Sequence, residues 1–121
     1  MRWFKSVRHA IRGFSEVFKT ERNFRFQIMA GLLIGGLSVA LHLSTMERLV
    51  IILVIASVLV LELLNSAVER IIDTLSPRID VLAGVVKDIL AAAVFLMSVV
   101  SVVIGVVIFY PYIKEFLVIS Y

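Results

Sequence analysis

The chain has no cysteine, which excludes disulfides, thiolate catalysis and cysteine metal sites and leaves the redox compartment unmarked. It has no GxxxxGK(S/T) phosphate loop and no HRD or DFG element, so neither common ATP-binding apparatus is present. Charge is scarce over long distances: Leu49 to Leu61 carries none, and neither does Ile89 to Tyr110. The N-terminal basic residues do not precede a short apolar core with a small-residue cleavage site, so no signal peptide is read.

What remains is apolar. Of 121 residues 61% are hydrophobic and the mean hydropathy is +1.07, values that place a single small domain in a bilayer. Seven of the twelve basic residues lie between Arg2 and Arg25. On a helical wheel over residues 2–20, Trp3, Phe4, Val7, Ile11, Phe14 and Phe18 share one side, opposite Lys5, Arg8, Arg12, Glu16 and Lys19. This pattern predicts an amphipathic surface helix over 1–24, its aromatic side in the headgroup boundary and its cationic side toward anionic lipid phosphates. The alternative is a helix that covers its own protein.

Three spans follow. The first, over 26–43, contains the small-residue spacing Gly31-x-x-x-Gly35, a weak signal for helix contact. The second, over 49–75, ends at Ser76-Pro77 and carries a cytoplasmic extension. The third runs over 85–112, its uncharged stretch closed by Tyr110, Pro111 and Tyr112 as an aromatic, helix-ending cluster. The basic N-terminal segment and Arg70, Arg78 and Lys87, in the loop after span two, favour the cytoplasmic side. Three spans then leave the C-terminus outside.

The exception to the apolar pattern is the stretch ELLNSAVERIID. Glu62, Asn65, Ser66, Glu69 and Asp73 are spaced 0, 3, 4, 7 and 11, which lines them up on one stripe of a helix. An ionisable group in a span costs ~2.5–3.5 kcal/mol on insertion scales, so such residues face a bundle interior or a water-filled cavity. Polar glue between helices is the bland reading, with Asn65 and Ser66 bonding across an interface. Lys87 and Asp88, at the start of span three, form a second constellation: Lys87 can meet phosphate, and Asp88 can orient a cation or Lys87 itself. Carboxylates without His or Cys nearby suit Mg²⁺, and Glu21, before span one, offers one more ligand.

ELLNSAVERIID follows the pattern E-hhN(T/S)AhE-xxhD, KDILAAAV follows KD-xx(A/S)AAV, and RGFSEVFKTERNFRFQ supplies Gly13, Phe18, Glu21, Asn23 and Arg25. In these motifs, and from about Arg2 to Val94, the chain resembles the small prokaryotic diacylglycerol kinase and undecaprenol kinase family of membrane enzymes. The resemblance implies an all-α homotrimer of three-span subunits with surface helices in the bacterial inner membrane, its N-terminus cytoplasmic. It implies ATP- and Mg²⁺-dependent phosphorylation of a lipid hydroxyl, with no nucleic-acid partner. By the same resemblance Glu62 is the general base and touches the lipid, with Ala91 beside it. Asn65 orders the catalytic centre, Glu21 and Glu69 hold the magnesium that arrives with ATP, and Lys87 and Asp88 contact the nucleotide and its phosphates.

Arg2, His9, Arg78, Ile79 and Asp80 complete the nucleotide contacts implied, and Asp73 and Arg25 support the cluster. His9 stands where a tyrosine is usual, Arg78-Ile79-Asp80 replaces a loop that often carries an aromatic and a histidine, and Ala91 is a serine in some members. KTERNFRFQI and HLSTMERL look like the undecaprenol branch, with diacylglycerol as the alternative lipid. A non-enzymatic reading, a small oligomeric proton-linked transporter, needs acids near the midplane with access from both sides. Here the stripe's acids gather toward one membrane face.

Overall fold

The computed structural model describes residues 2–75 and 81–121, all helical apart from short connections. Four helices follow in order: α1 (Arg2–Thr20), α2 (Arg22–Ala40), α3 (Thr45–Leu75) and α4 (Val81–Ile119). α1 is the amphipathic element, and α2, α3 and α4 are each long and apolar enough to cross a membrane. The chain is thus an all-α, multi-pass membrane protein with one additional N-terminal helix.

The helix ends differ from the sequence expectation, each for a local reason. α1 stops at Thr20 because Glu21 is extended (φ −106°, ψ 111°), and α2 begins at Arg22. Residues 22–24 therefore belong to the first span and not to the surface helix. Arg25 covers the end of α1, its Nη1 donating to the carbonyls of Phe18 (2.8 Å) and Lys19 (3.0 Å).

At its other end α2 stops at Ala40, short of the apolar Leu41 and Leu43. The Leu43 N–H donates to Ser38 O and the His42 N–H to Val39 O, both at 3.1 Å, with His42 at φ 56°. This is a Schellman termination, in which a left-handed residue lets the chain satisfy the last carbonyls and fold an apolar residue back onto the helix. Leu43 is accordingly buried.

α3 starts four residues before the apolar run because Ser44 and Glu47 form a reciprocal capping box. The Glu47 N–H donates to Ser44 Oγ (3.2 Å) and the Ser44 N–H donates to Glu47 Oε1 (3.1 Å), satisfying two donors that the helix itself leaves unpaired. The Tyr112 hydroxyl of α4 donates to the same Oε1 at 2.5 Å.

Pro111, expected to end the third span, lies inside α4, which continues to Ile119. Proline removes one backbone donor and crowds the preceding turn. The flanking Phe109, buried against Leu43 and Ile51, and Tyr112, tied to Glu47, fix α4 on both sides of that defect.

α3 is the central helix: it packs against α1, α2 and α4, whereas α2 and α4 flank it without pairing with each other. Of the Gly31-x-x-x-Gly35 pair only Gly31 serves close approach. A Cβ there would lie 2.9 Å from Ile55 Cγ2, while Gly35 has open space. The flanking arrangement leaves a groove of about 660 Å³ that includes Gln27, Gly31, Ile55, Ser98, Gly105 and Phe109 in its lining. At ~1.5 Å per residue the 31 residues of α3 extend about 46 Å. That exceeds the ~30 Å hydrocarbon core, so one continuous helix carries the polar stripe out of the membrane.

His42 occupies a conformation that disfavours a Cβ by roughly 1–2 kcal/mol, a gain for glycine partly offset by its greater unfolded-state freedom. His42→Gly is expected to stabilise the protein by about 0.5–1 kcal/mol, seen as a higher Tm in detergent. An unchanged or lower Tm would show that the imidazole makes compensating contacts.

Candidate active site

The stripe on α3 keeps its helical alignment, and burial grades along it. Glu62 and Ser66 are only 6% and 2% exposed, Asn65 and Glu69 are half-buried, and Asp73 is exposed.

α2 and the α1–α2 junction cover the buried end. The Gln27 amide lies beside the Glu62 carboxylate, and both Glu21 and Glu69 are within electrostatic reach of it. Ser66 Oγ donates to Glu21 Oε1 at 3.3 Å, joining the residue between α1 and α2 to the middle of the α3 stripe. Glu21 is the extended residue at that junction and has no side-chain cap bond of its own, which leaves its carboxylate available to the cluster.

From the other side α4 contributes Lys87, whose Nζ lies 2.5 Å from Asp73 Oδ1. Asp73 is thus the carboxylate that orients Lys87, in place of the neighbouring Asp88 considered from the sequence. Glu69 also acts electrostatically on Lys87. The helices therefore bring together Glu21, Glu62, Asn65, Ser66, Glu69, Asp73 and Lys87. Asp88 and Ala91 are exposed on α4 close to Lys87, Ala91 one helical turn farther along.

Other sequence candidates lie elsewhere. His9 is eleven residues before Thr20, the last residue of α1, about 16 Å along the helix axis at ~1.5 Å per residue. His9 and Arg2 are both exposed and stand away from the acids within the protomer. Arg78, Ile79 and Asp80 lie outside the described residues. Arg25 closes the end of α1 instead of facing the cluster.

Sequence reasoning missed the parts played by Gln27 and Arg70, whereas Ser66 bonds across a helix contact as its place on the stripe suggested. Gln27 is a polar residue within an apolar span, so it carried a signal. Arg70 carried none, because its partners are on another helix: its Nη2 donates to Thr20 Oγ1 (2.6 Å) and its Nη1 to Glu16 Oε1 (3.3 Å).

The donor chemistry fits a hard divalent cation. Glu21 and Glu69 supply carboxylate oxygens, and Asn65 Oδ1 is buried without a hydrogen-bond partner. Among the described residues no three His, Cys, Asp or Glu side chains gather as a cage. Mg²⁺ takes one or two protein carboxylates and fills its shell with water and phosphate oxygen.

Comparison with known proteins gives the cluster a context. The family model for prokaryotic diacylglycerol kinase matches residues 8–109. The chain is 40% identical over 110 residues to undecaprenol kinase of Bacillus subtilis, covering 91% of this chain and 89% of that one. It is 37% identical over 101 residues to diacylglycerol kinase of Synechocystis, covering 83% of this chain and 58% of the relative. Against diacylglycerol kinase of Haemophilus influenzae it is 31% identical over 106 residues, 87% and 90% of the two chains. A match over most of the chain, with membrane helices that gather the family's motif residues at one end, makes this protein a member of the prokaryotic diacylglycerol kinase family and a membrane lipid kinase.

Proposed function

We propose that the protein transfers the γ-phosphoryl group of ATP to the hydroxyl of undecaprenol at the cytoplasmic membrane face. The supporting observation is the division of one helix into two environments. Glu62 is buried at the apolar end of the stripe, and Glu69, seven residues on, is half-buried toward the polar end. Two turns of helix separate them by about 10 Å. That spacing lets one element meet an oily alcohol and an aqueous triphosphate together.

In this reading Glu62 accepts the proton of the lipid hydroxyl as its oxygen bonds to the γ-phosphorus and the bond to the β–γ bridging oxygen breaks, releasing ADP. Gln27, beside the Glu62 carboxylate, orients it. Glu21 and Glu69 hold Mg²⁺, which when bound offsets charge on the phosphate oxygens. Lys87, held at the correct level by Asp73, adds positive charge for the transferring group. Asn65 orders the centre, Asp88 meets the nucleotide, and Ala91 lies along the lipid approach. Direct transfer to the lipid oxygen needs no phosphoenzyme, and most of its catalysis is positioning and electrostatics.

The basic residues between Arg2 and Arg25 support a cytoplasmic N-terminus. Exposed Ala91 and Ala92 on α4 support close helix approach from another subunit, in keeping with a homotrimer. Undecaprenol is favoured by the 40% identical relative of that activity. Diacylglycerol is the second reading, favoured by the relatives named for it.

Purified protein given labelled ATP and Mg²⁺ with each lipid in parallel micelles is expected to label undecaprenol faster. Label in neither lipid would overturn the kinase reaction proposed; faster labelling of diacylglycerol would overturn the substrate choice. Glu62→Gln should fold yet lose turnover by about 10²–10⁴-fold, the usual range for a general base. Undiminished activity would remove the base assignment. Lys87→Met should raise KM for ATP about ten-fold, the scale of one charge-assisted contact, with KM for lipid nearly constant. An unchanged KM for ATP would remove the phosphate role given to Lys87.

A further inference from the structure

We propose that Arg70 is a positioning residue that sets the approach of Glu21 to Glu69 by holding the end of α1 in both place and rotation; this rests on the metal role given above to those two glutamates. α1 and α2 are separated by the single extended residue Glu21, so two soft torsions govern how α1 is carried. α1 is 19 residues long, a lever of about 28 Å. Only Val17 of α1 is buried, and Trp3, Phe4, Val7 and Ile11 face outward. Within the protein, packing against rolling comes from Val17 and from the edge contact of Phe14 on the buried Phe24, ring centroids 5.1 Å apart, both set by apolar contact without direction.

Arg70 supplies direction. Its Nη2 donates to Thr20 Oγ1 at 2.6 Å and its Nη1 to Glu16 Oε1 at 3.3 Å. Glu16 and Thr20 are one helical turn apart, and the Thr20 hydroxyl donates in turn to Glu16 O at 2.8 Å. A single contact would let α1 swivel; two contacts from one planar guanidinium define an orientation. The chain order then matters: Thr20 precedes Glu21, and Arg70 follows Glu69. The bridge between α1 and α3 is therefore one residue from each of the two carboxylates. Arg25 holds the same helix end by its backbone carbonyls, which fixes position but does not grip the side-chain face that Arg70 reads.

An exposed ion pair contributes little to stability, and Arg70 and Glu16 side chains are 43% and 57% exposed. Loss of Arg70 should therefore leave the protein folded while loosening the geometry between two ligands, to which binding and transfer are far more sensitive. A lysine at this position has a point charge and no fork, so it restores charge without orientation.

Because the chain has no cysteine, spin labels at Ser15→Cys and Val107→Cys report the α1 placement without background. In Arg70→Ala the distance distribution between them should broaden, and Mn²⁺ binding measured by electron paramagnetic resonance should weaken about ten-fold. The Mg²⁺ concentration for half-maximal activity should rise by a similar factor, with KM for lipid within about two-fold of wild type. Arg70→Lys should recover only part of the Mn²⁺ affinity. Thr20→Val should show a smaller loss, and the Arg70→Ala, Thr20→Val double variant no more than Arg70→Ala. An unchanged label distance with unchanged Mn²⁺ affinity, or full recovery by lysine, would overturn the proposal. The label and Mn²⁺ measurements need no turnover, so a wild-type protein inactive on both lipids would count against the reaction and not against this bridge.

Discussion

A carboxylate cannot face hydrocarbon without a large cost, and the placement of Glu62 inside the protein follows from that constraint. Glu62 occupies the central helix, where neighbours exist on more than one side, and it is nearly sealed from the surroundings. Its cover must itself be polar, which accounts for Gln27 within an otherwise apolar α2 and for Glu21 and Ser66 meeting above it. Once these groups are drawn together, the break between α1 and α2 has a purpose: a continuous helix would carry Glu21 past the stripe. The surface helix, the hinge and the central span are thereby tied to one buried charge.

The opposite end of the bundle is built for a different task. There the Schellman turn at His42, the capping box of Ser44 and Glu47, and the Tyr112 hydroxyl satisfy neighbouring helix ends with local hydrogen bonds. Leu43, Ile51 and Phe109 form the buried apolar cluster beside them. The α2–α3 connection is thus short and internally bonded, and α4 is tied to it through Glu47. At the polar end Asn65 Oδ1 is buried without a hydrogen-bond partner, as is Arg48 Nε beside the capping box.

Periodic features were legible in the sequence because periodicity is a property of one segment. The amphipathic α1, the three membrane-length helices and the alignment from Glu62 to Asp73 all follow from spacing alone. The motifs that identified the family lay on the same segments. Features requiring two segments were not legible: Lys87 could be seen to need an acid, but sequence proximity suggested Asp88 where the fold supplies Asp73. Arg70 looked like a loop charge because Thr20 and Glu16 are fifty or more positions away. Helix ends failed for a subtler reason. Hydropathy marks where lipid begins, whereas capping marks where a helix begins, so Ser44 and Glu47 extend α3 ahead of its apolar run. Pro111 misled in the opposite direction, since the contacts of Phe109 and Tyr112 hold a helix across a residue that disfavors it.

The uninterrupted course of α3 also constrains how this segment can change over time. Between Glu62 and Glu69 the backbone has no loop or bulge in which an extra residue could be absorbed. Inserting or deleting one residue there would turn one glutamate about 100° around the helix relative to the other and send it toward lipid. Leu63, Leu64, Ala67 and Val68 can vary in kind, but the number of residues between the two glutamates is set by helical phase.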